Sequence, residues 1–292
     1  MELKNRALRD IYVDLLMEYA KKYPELVIVE ADLSKALATT RFFETYPNRA
    51  INVGVAEANM IGVAAGLANM GKIPFTHTFT PFATRRVYDQ VNLSVAYSRL
   101  NVKMVGSDPG IMAQLNGGTH MSLEDVGIMR TMPTMTIVEP IDGVELAGLF
   151  PQILKHDGPV YIRLTRKDFA PVYEVGEEFI LGKAKVIKKG NDVSIFASGI
   201  EVSEALEAKR QLEKKGISAS VIDIHTIKPL DKETIIEEAK RTGAVVTAEN
   251  HNIINGLGSA VAEVLVENCP VPMERVGCKD HFGEVGKKYF LM

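Results

Sequence analysis

One acid stands out in the stretch NVGVAEANMIGVAAGLANMG, residues 52–71: Glu57, set among small and apolar residues. A carboxylate in the first turn of a helix interacts favourably with the helix dipole, worth about 0.3–1 kcal/mol. Val53, Val55, Ala56 and Ala58 give this one an apolar surround, where a carboxyl is costly to ionise unless paired. Such an acid suits proton exchange with a ligand near neutral pH. The stretch FTHTFTPFATRRVYDQ, residues 75–90, comes next. Phe79 and Phe82 fall between a strand and a helix, where two rings either pack in a core or grip a flat heterocycle. In NGGTHMSLED, residues 116–125, His120 follows a Gly-Gly turn. A loop histidine there is either a solvated bystander or a group that shuttles protons and holds an oxyanion.

These residues need elements to position them. LVIVEAD (26–32), NVKMVGS (101–107), MTIVEP (135–140) and PVYIRLT (159–165) read as buried strands. Helical patterns alternate with them: an amphipathic N-terminal helix, the Glu57 segment, 84–100 and 142–156. Near residue 169 the rhythm breaks, and 169–182 reads as a linker. Alternation resumes with strands at 193–199, 218–230 and 244–250 and helices over 201–215 and 256–268. The expected fold is therefore two three-layer α/β domains with mostly parallel sheets, over 1–168 and 183–292. Ligands in such sheets sit at the carboxyl ends of the strands.

Composition narrows the function. With 46% apolar residues and a net charge of −3, the chain has the make-up of a soluble globular protein, and it carries no basic run suited to a phosphate backbone. Cys269 and Cys278 form no CxxC pair and no histidine cluster lies at ligand spacing, so no metal site is expected within this chain. Few cysteines, no signal peptide and no apolar run near the roughly 20 residues of a membrane span point to the cytoplasm.

Taken in order, NVGVAEANMIGVAAGLA, the Phe-rich turn leading into RRVYDQ, and GGTH resemble the pyrimidine-binding domain of the transketolase family of thiamine diphosphate enzymes. IDIHTIKPLD, AENHNIINGLGSAVAE and DHFGEVG resemble that family's C-terminal domain, so the resemblance runs from Arg6 to Gly286. The GDG motif of the diphosphate-binding domain does not occur; DGV at 142–144 and DGP at 157–159 lack its preceding glycine. The resemblance is thus to the C-terminal subunit of a split transketolase. It implies thiamine diphosphate shared with an N-terminal partner subunit that holds the Mg²⁺, in an α2β2 assembly. It further implies that Glu57 hydrogen-bonds the aminopyrimidine, Phe82 stacks on it, Phe79 completes the cradle, and Asp32 of ADLS and His120 lie beside the cofactor.

Substrate positions depart from the family pattern. Arg6 and Arg166 match two arginines that grip a sugar phosphate, a pairing suited to a tetrahedral anion. A family serine is replaced by Ala36 with Lys35 beside it, a histidine by Asp108, and an acid by Asn116. Arg86 resembles the substrate-phosphate arginine of deoxyxylulose phosphate synthase. These changes imply ketol transfer from an atypical ketose, a branched sugar phosphate or a sulfonated sugar. The alternatives are that synthase, the β subunit of a 2-oxoacid dehydrogenase, and a non-catalytic scaffold subunit. His225, His251 and His281 are read as structural or interface residues.

Overall fold

The structure is a computed structural model that describes residues 1–167 and 171–291. Residues 168–170, where the first expected domain ends and the expected linker begins, lie outside the described residues. Among the described residues, twelve strands form two sheets. In chain order they are β1 (Leu26–Glu30), β2 (Ala50–Asn52), β3 (Ile73–Phe79), β4 (Lys103–Ser107), β5 (Thr136–Val138) and β6 (Val160–Leu164). Then follow β7 (Lys185–Lys188), β8 (Val193–Ala197), β9 (Ala219–Asp223), β10 (Thr226–Lys228), β11 (Val245–Asn252) and β12 (Met273–Cys278). The first sheet has the order β10-β5-β6-β4-β3-β1-β2 and the second β12-β11-β8-β9-β7. Among the described strands, only β10 against β5 and β7 against β9 run antiparallel.

Strand period explains how the first sheet is covered on both faces. Ile28 of β1 enters a cluster with the helices Leu8–Lys22 and Gly143–Lys155, where Phe75 stacks on Phe150 at 5.7 Å. Its neighbour Val29 enters the opposite cluster, with Met60, Met104, Met129, Met132 and Met135. The helix Glu57–Asn69 lies on that second side. Among the described residues no helix is long and apolar enough to cross a membrane.

Two expected elements are built differently. The single strand expected over 218–230 is split: β9 stays in the second sheet, and β10 crosses to pair with β5 in the first. The crossing is fixed by Glu139 N–H donating to His225 O (2.9 Å) and by the Lys228 ammonium, which donates to Arg130 O (2.7 Å) and Met132 O (2.5 Å). The helix expected over 84–100 is a tight turn Arg85–Val87, one α turn Tyr88–Gln90, and a π-helical stretch Val91–Tyr97. The widened turns bring Val91, Val95 and Ala96 into the core together while Leu93 and Tyr97 face outward.

Candidate active site

The carboxyl ends of β1, β3, β4 and β6 deliver Asp32, Phe79, Asp108 and Arg166 to one edge of the first sheet. Glu57 opens the helix Glu57–Asn69 and is 4% exposed. Its surround is not the one its sequence neighbours suggest. Val55 is 74% exposed and Ala58 also faces outward, because they fall on the other side of the chain at the helix start. Glu57 is covered and paired instead from 29 residues away: Arg86 Nη1 donates to its Oε1 at 2.9 Å. The guanidinium of Arg86 also lies over the Phe82 ring, 3.7 Å from its centroid. Arg86, expected at the substrate anion, thus stands between the acid and the aromatic.

Contacts continue from there. Phe82 meets His120 edge-on at 5.2 Å, and His120 meets Phe79 at 5.6 Å. The Phe79 ring in turn carries the guanidinium of Arg166 at 4.9 Å. Arg166 is locked to Asp108 through Nε at 2.6 Å and Nη2 at 2.5 Å, while its backbone N–H donates to Asp108 Oδ1 at 2.9 Å. Asp108 is 2% exposed and adopts φ +52°, a left-handed conformation in which an aspartate is tolerated. The acid in the family's histidine position is therefore committed to an arginine, not left facing a substrate oxygen. Thr119 Oγ1 lies 2.9 Å from His120 Nδ1, leaving Nε2 as the nitrogen for a ligand.

The remaining expected residues lie around this chain of contacts. Asp32, at φ +62°, accepts from Asn52 Nδ2 (3.2 Å), and Asn52 Oδ1 accepts from the backbone N–H of Asp32 and of Gly54. Asn52 thereby ties the turn after β1 to the turn before Glu57. Arg6 donates to Glu2 O (3.0 Å) and pairs with Asp14 (2.8 Å), outside the contacts of Arg166. Lys35 is exposed on its loop, and Asn116 is exposed at the end of the 3-10 stretch Gly110–Asn116.

Two positioning groups escaped the sequence reading. Asn250, from β11, accepts from Ile111 N–H (2.8 Å) and donates to Pro109 O (2.9 Å), which pins the loop that leads to His120. It lies inside the AENHN motif, the only sign of it in the sequence. Beneath the site, Tyr12, His77 and Glu30 form a fully buried row, with Tyr12 Oη 2.7 Å from His77 Nε2 and His77 Nδ1 3.1 Å from Glu30 Oε1. His225 is buried, which pushes its pKa down to about 4, and His251 accepts from Gly127 N–H. Both knit the two halves together, as structural residues do.

A flat ring with a hydrogen-bonding edge fits this arrangement, since a planar guanidinium already sits over the Phe82 ring while donating to Glu57. A buried acid linked to an aromatic through one arginine, beside the strand ends of a mostly parallel sheet covered on both faces, is a surface that can hold a planar heterocycle. The chain belongs to the transketolase family: the family described as "Transketolase, pyrimidine binding domain" matches residues 4–171, and "Transketolase, C-terminal domain" matches 182–291. It is 60% identical over 291 residues to the 6-deoxy-6-sulfo-D-fructose transketolase subunit SqwH of Clostridium sp. (strain MSTE9), covering 100% of this chain and 90% of that one. It is 44% identical to the putative transketolase C-terminal section of Methanocaldococcus jannaschii, covering 97% of this chain and 89% of that one. A solved split-gene transketolase, an inactive beta4 tetramer, superposes with a TM-score of 0.88 at 43% identity, over 95% of this chain and 91% of that one. The chain is accordingly a transketolase subunit, of an enzyme class that transfers ketol units.

Proposed function

We propose that this subunit serves a transketolase whose donor is a sulfonated ketose. The observation that carries the reading is its 60% identity, over 100% of its own length, to a subunit that acts on 6-deoxy-6-sulfo-D-fructose. The Arg166–Asp108 pair supports it. A sulfonate carries a single negative charge, whereas a phosphate monoester carries about −1.5 to −2 at neutral pH. An arginine that already holds an acid presents less positive charge than two bare arginines would, and suits the former.

Thiamine diphosphate, when bound, supplies the nucleophilic carbon and the electron sink. The protein's own residues set the stage for it. Glu57 would hydrogen-bond the ring nitrogen of the aminopyrimidine, and Phe82 with Phe79 would stack the ring. His120 offers Nε2 to a substrate hydroxyl, and Arg166 meets the sugar's far end, with Arg6, Lys35 and Asn116 as the further substrate residues the family resemblance implies. The N-terminal partner carries Mg²⁺ and the diphosphate site, the working assembly is α2β2, and the enzyme operates in the cytoplasm. Residues 1–168 act as the pyrimidine-binding unit and 183–292 as the assembly unit. The outward-facing Val55, Leu93 and Tyr97, which border the Glu57 helix, suit contact with that partner.

The test is to co-express the chain with its GDG-containing partner and follow ketol transfer from 6-deoxy-6-sulfofructose, fructose 6-phosphate and xylulose 5-phosphate. Faster turnover of the sulfonated donor is expected. Equal or faster turnover of both phosphorylated ketoses overturns the sulfonate reading.

A further inference from the structure

We propose that Arg86 is a resident occupant of the aminopyrimidine site, and that the cofactor enters by displacing it. The inference rests on the reading that Glu57 and Phe82 hold the cofactor ring. Arg86 makes the two kinds of contact that ring would need, an N–H bond to Glu57 Oε1 at 2.9 Å and a position over Phe82 at 3.7 Å from the centroid. A pyrimidine that took the same face of Phe82 and the same Glu57 oxygen would have to displace the arginine, and on this proposal those are the face and the oxygen it takes.

The arrangement has a physical reason. The side chain of Glu57 is 5% exposed, and an uncompensated buried carboxylate is strongly unfavourable. Arg86 neutralises it, and its guanidinium face covers an aromatic that would otherwise meet water. The occupant is also free to leave. Its side chain is 45% exposed, so the way out is open to solvent. Its neighbour Arg85 is anchored, donating to Glu124 Oε1 at 2.7 Å and Thr119 O at 3.1 Å. The short turn Arg85–Val87 can thus stay in place while the Arg86 side chain swings outward. Arg86 is in this sense a gatekeeper that sets the apparent affinity of the site: the cofactor binds the fraction of molecules in which the arginine has moved aside.

The experiment uses the chain paired with its N-terminal subunit, in Mg²⁺, with thiamine diphosphate titrated calorimetrically into wild type, Arg86→Ala and Arg86→Lys. Arg86→Ala is expected to bind about tenfold more tightly, the result of removing a competitor that occupies some nine-tenths of the sites. In the absence of cofactor the same substitution is expected to lower the thermal midpoint of the chain, and Glu57→Gln in the same background to cancel that loss. Phenylglyoxal labelling of the wild-type pair needs no variant: Arg86 becomes reactive on saturation with thiamine diphosphate. Unchanged or weaker binding by Arg86→Ala, or an Arg86 whose labelling ignores the cofactor, overturns the proposal and leaves the cofactor reading intact. A pair that binds no thiamine diphosphate at all removes both.

Discussion

At the scale of single residues, the site turns on Glu57. Replacing it with Gln keeps the shape and removes the acid, so turnover by the assembled pair should fall on the order of 10²–10⁴-fold, the usual worth of a positioned proton donor. Gel filtration of the variant with its partner should show the same assembly as wild type. Glu57, Phe82 and His120 could be singled out in the sequence because each lies in a short motif whose spacing is local. The partner of each acid was not. Arg86 is 29 residues from Glu57 and Arg166 is 58 from Asp108, so neither pairing has a signature along the chain. The apolar neighbours of Glu57 suggested a solitary acid, because adjacency in sequence said nothing about which side of the helix start each residue would face.

At the scale of elements, the loop between β4 and His120 is shaped by a residue from the other sheet. Gln114 at φ +47° and Asp108 at φ +52° show a backbone that needs support, and Asn250 supplies it. Asn250→Ala leaves Ile111 N–H without its partner, at a cost of about 1–3 kcal/mol. A lower urea midpoint with an unchanged slope should register that cost, and KM for the donor should rise because His120 loses its fixed approach. The central strands were legible from their continuous apolar runs, whereas the edge strands β2, β7 and β12, short or only half-buried, gave no such run and were not expected. The break in SASVIDIHTIKPL was not, since both pieces are buried and β-rich, and only the tertiary partner distinguishes them. The π-helical stretch was hidden for a similar reason: its apolar residues satisfy an ordinary helical pattern.

At the scale of the whole molecule, the halves are joined by buried ionisable groups. Arg163, 1% exposed, holds Asp125 at 2.7 Å and Glu139 at 2.6 Å and donates to Asn250 O at 3.0 Å. Nearby, Glu145 from the first half meets Asp223 from β9. Glu145 accepts from Ile141 N–H and Asp223 from Tyr173 Oη at 2.7 Å, and their remaining oxygens have no other partner. One shared proton satisfies both. Burial is the main cause that raises Glu145 well above the carboxylate range and Asp223 to about 7; Asp142 adds repulsion to both and Glu139 to Asp223. A raised folded pKa means that the native state binds the proton more tightly than the unfolded chain does. Its stabilising effect is complete below the unfolded value near 4 and is lost as pH climbs through about 7. The urea midpoint should therefore decline between pH 5 and pH 8, and Glu145→Gln should flatten that decline.

The crossing of β10 into the first sheet carries a consequence for how this chain can be divided. Its pairing with β5 closes what would otherwise be an open row of backbone donors and acceptors at the end of that sheet. A fragment stopped in the linker would lose the strand that caps this edge, while keeping every residue assigned to catalysis. The catalytic half is therefore not a detachable module. Expressed alone as residues 1–182, it is expected to associate edge to edge, seen as light scattering that grows with concentration, under conditions where the full chain stays clear.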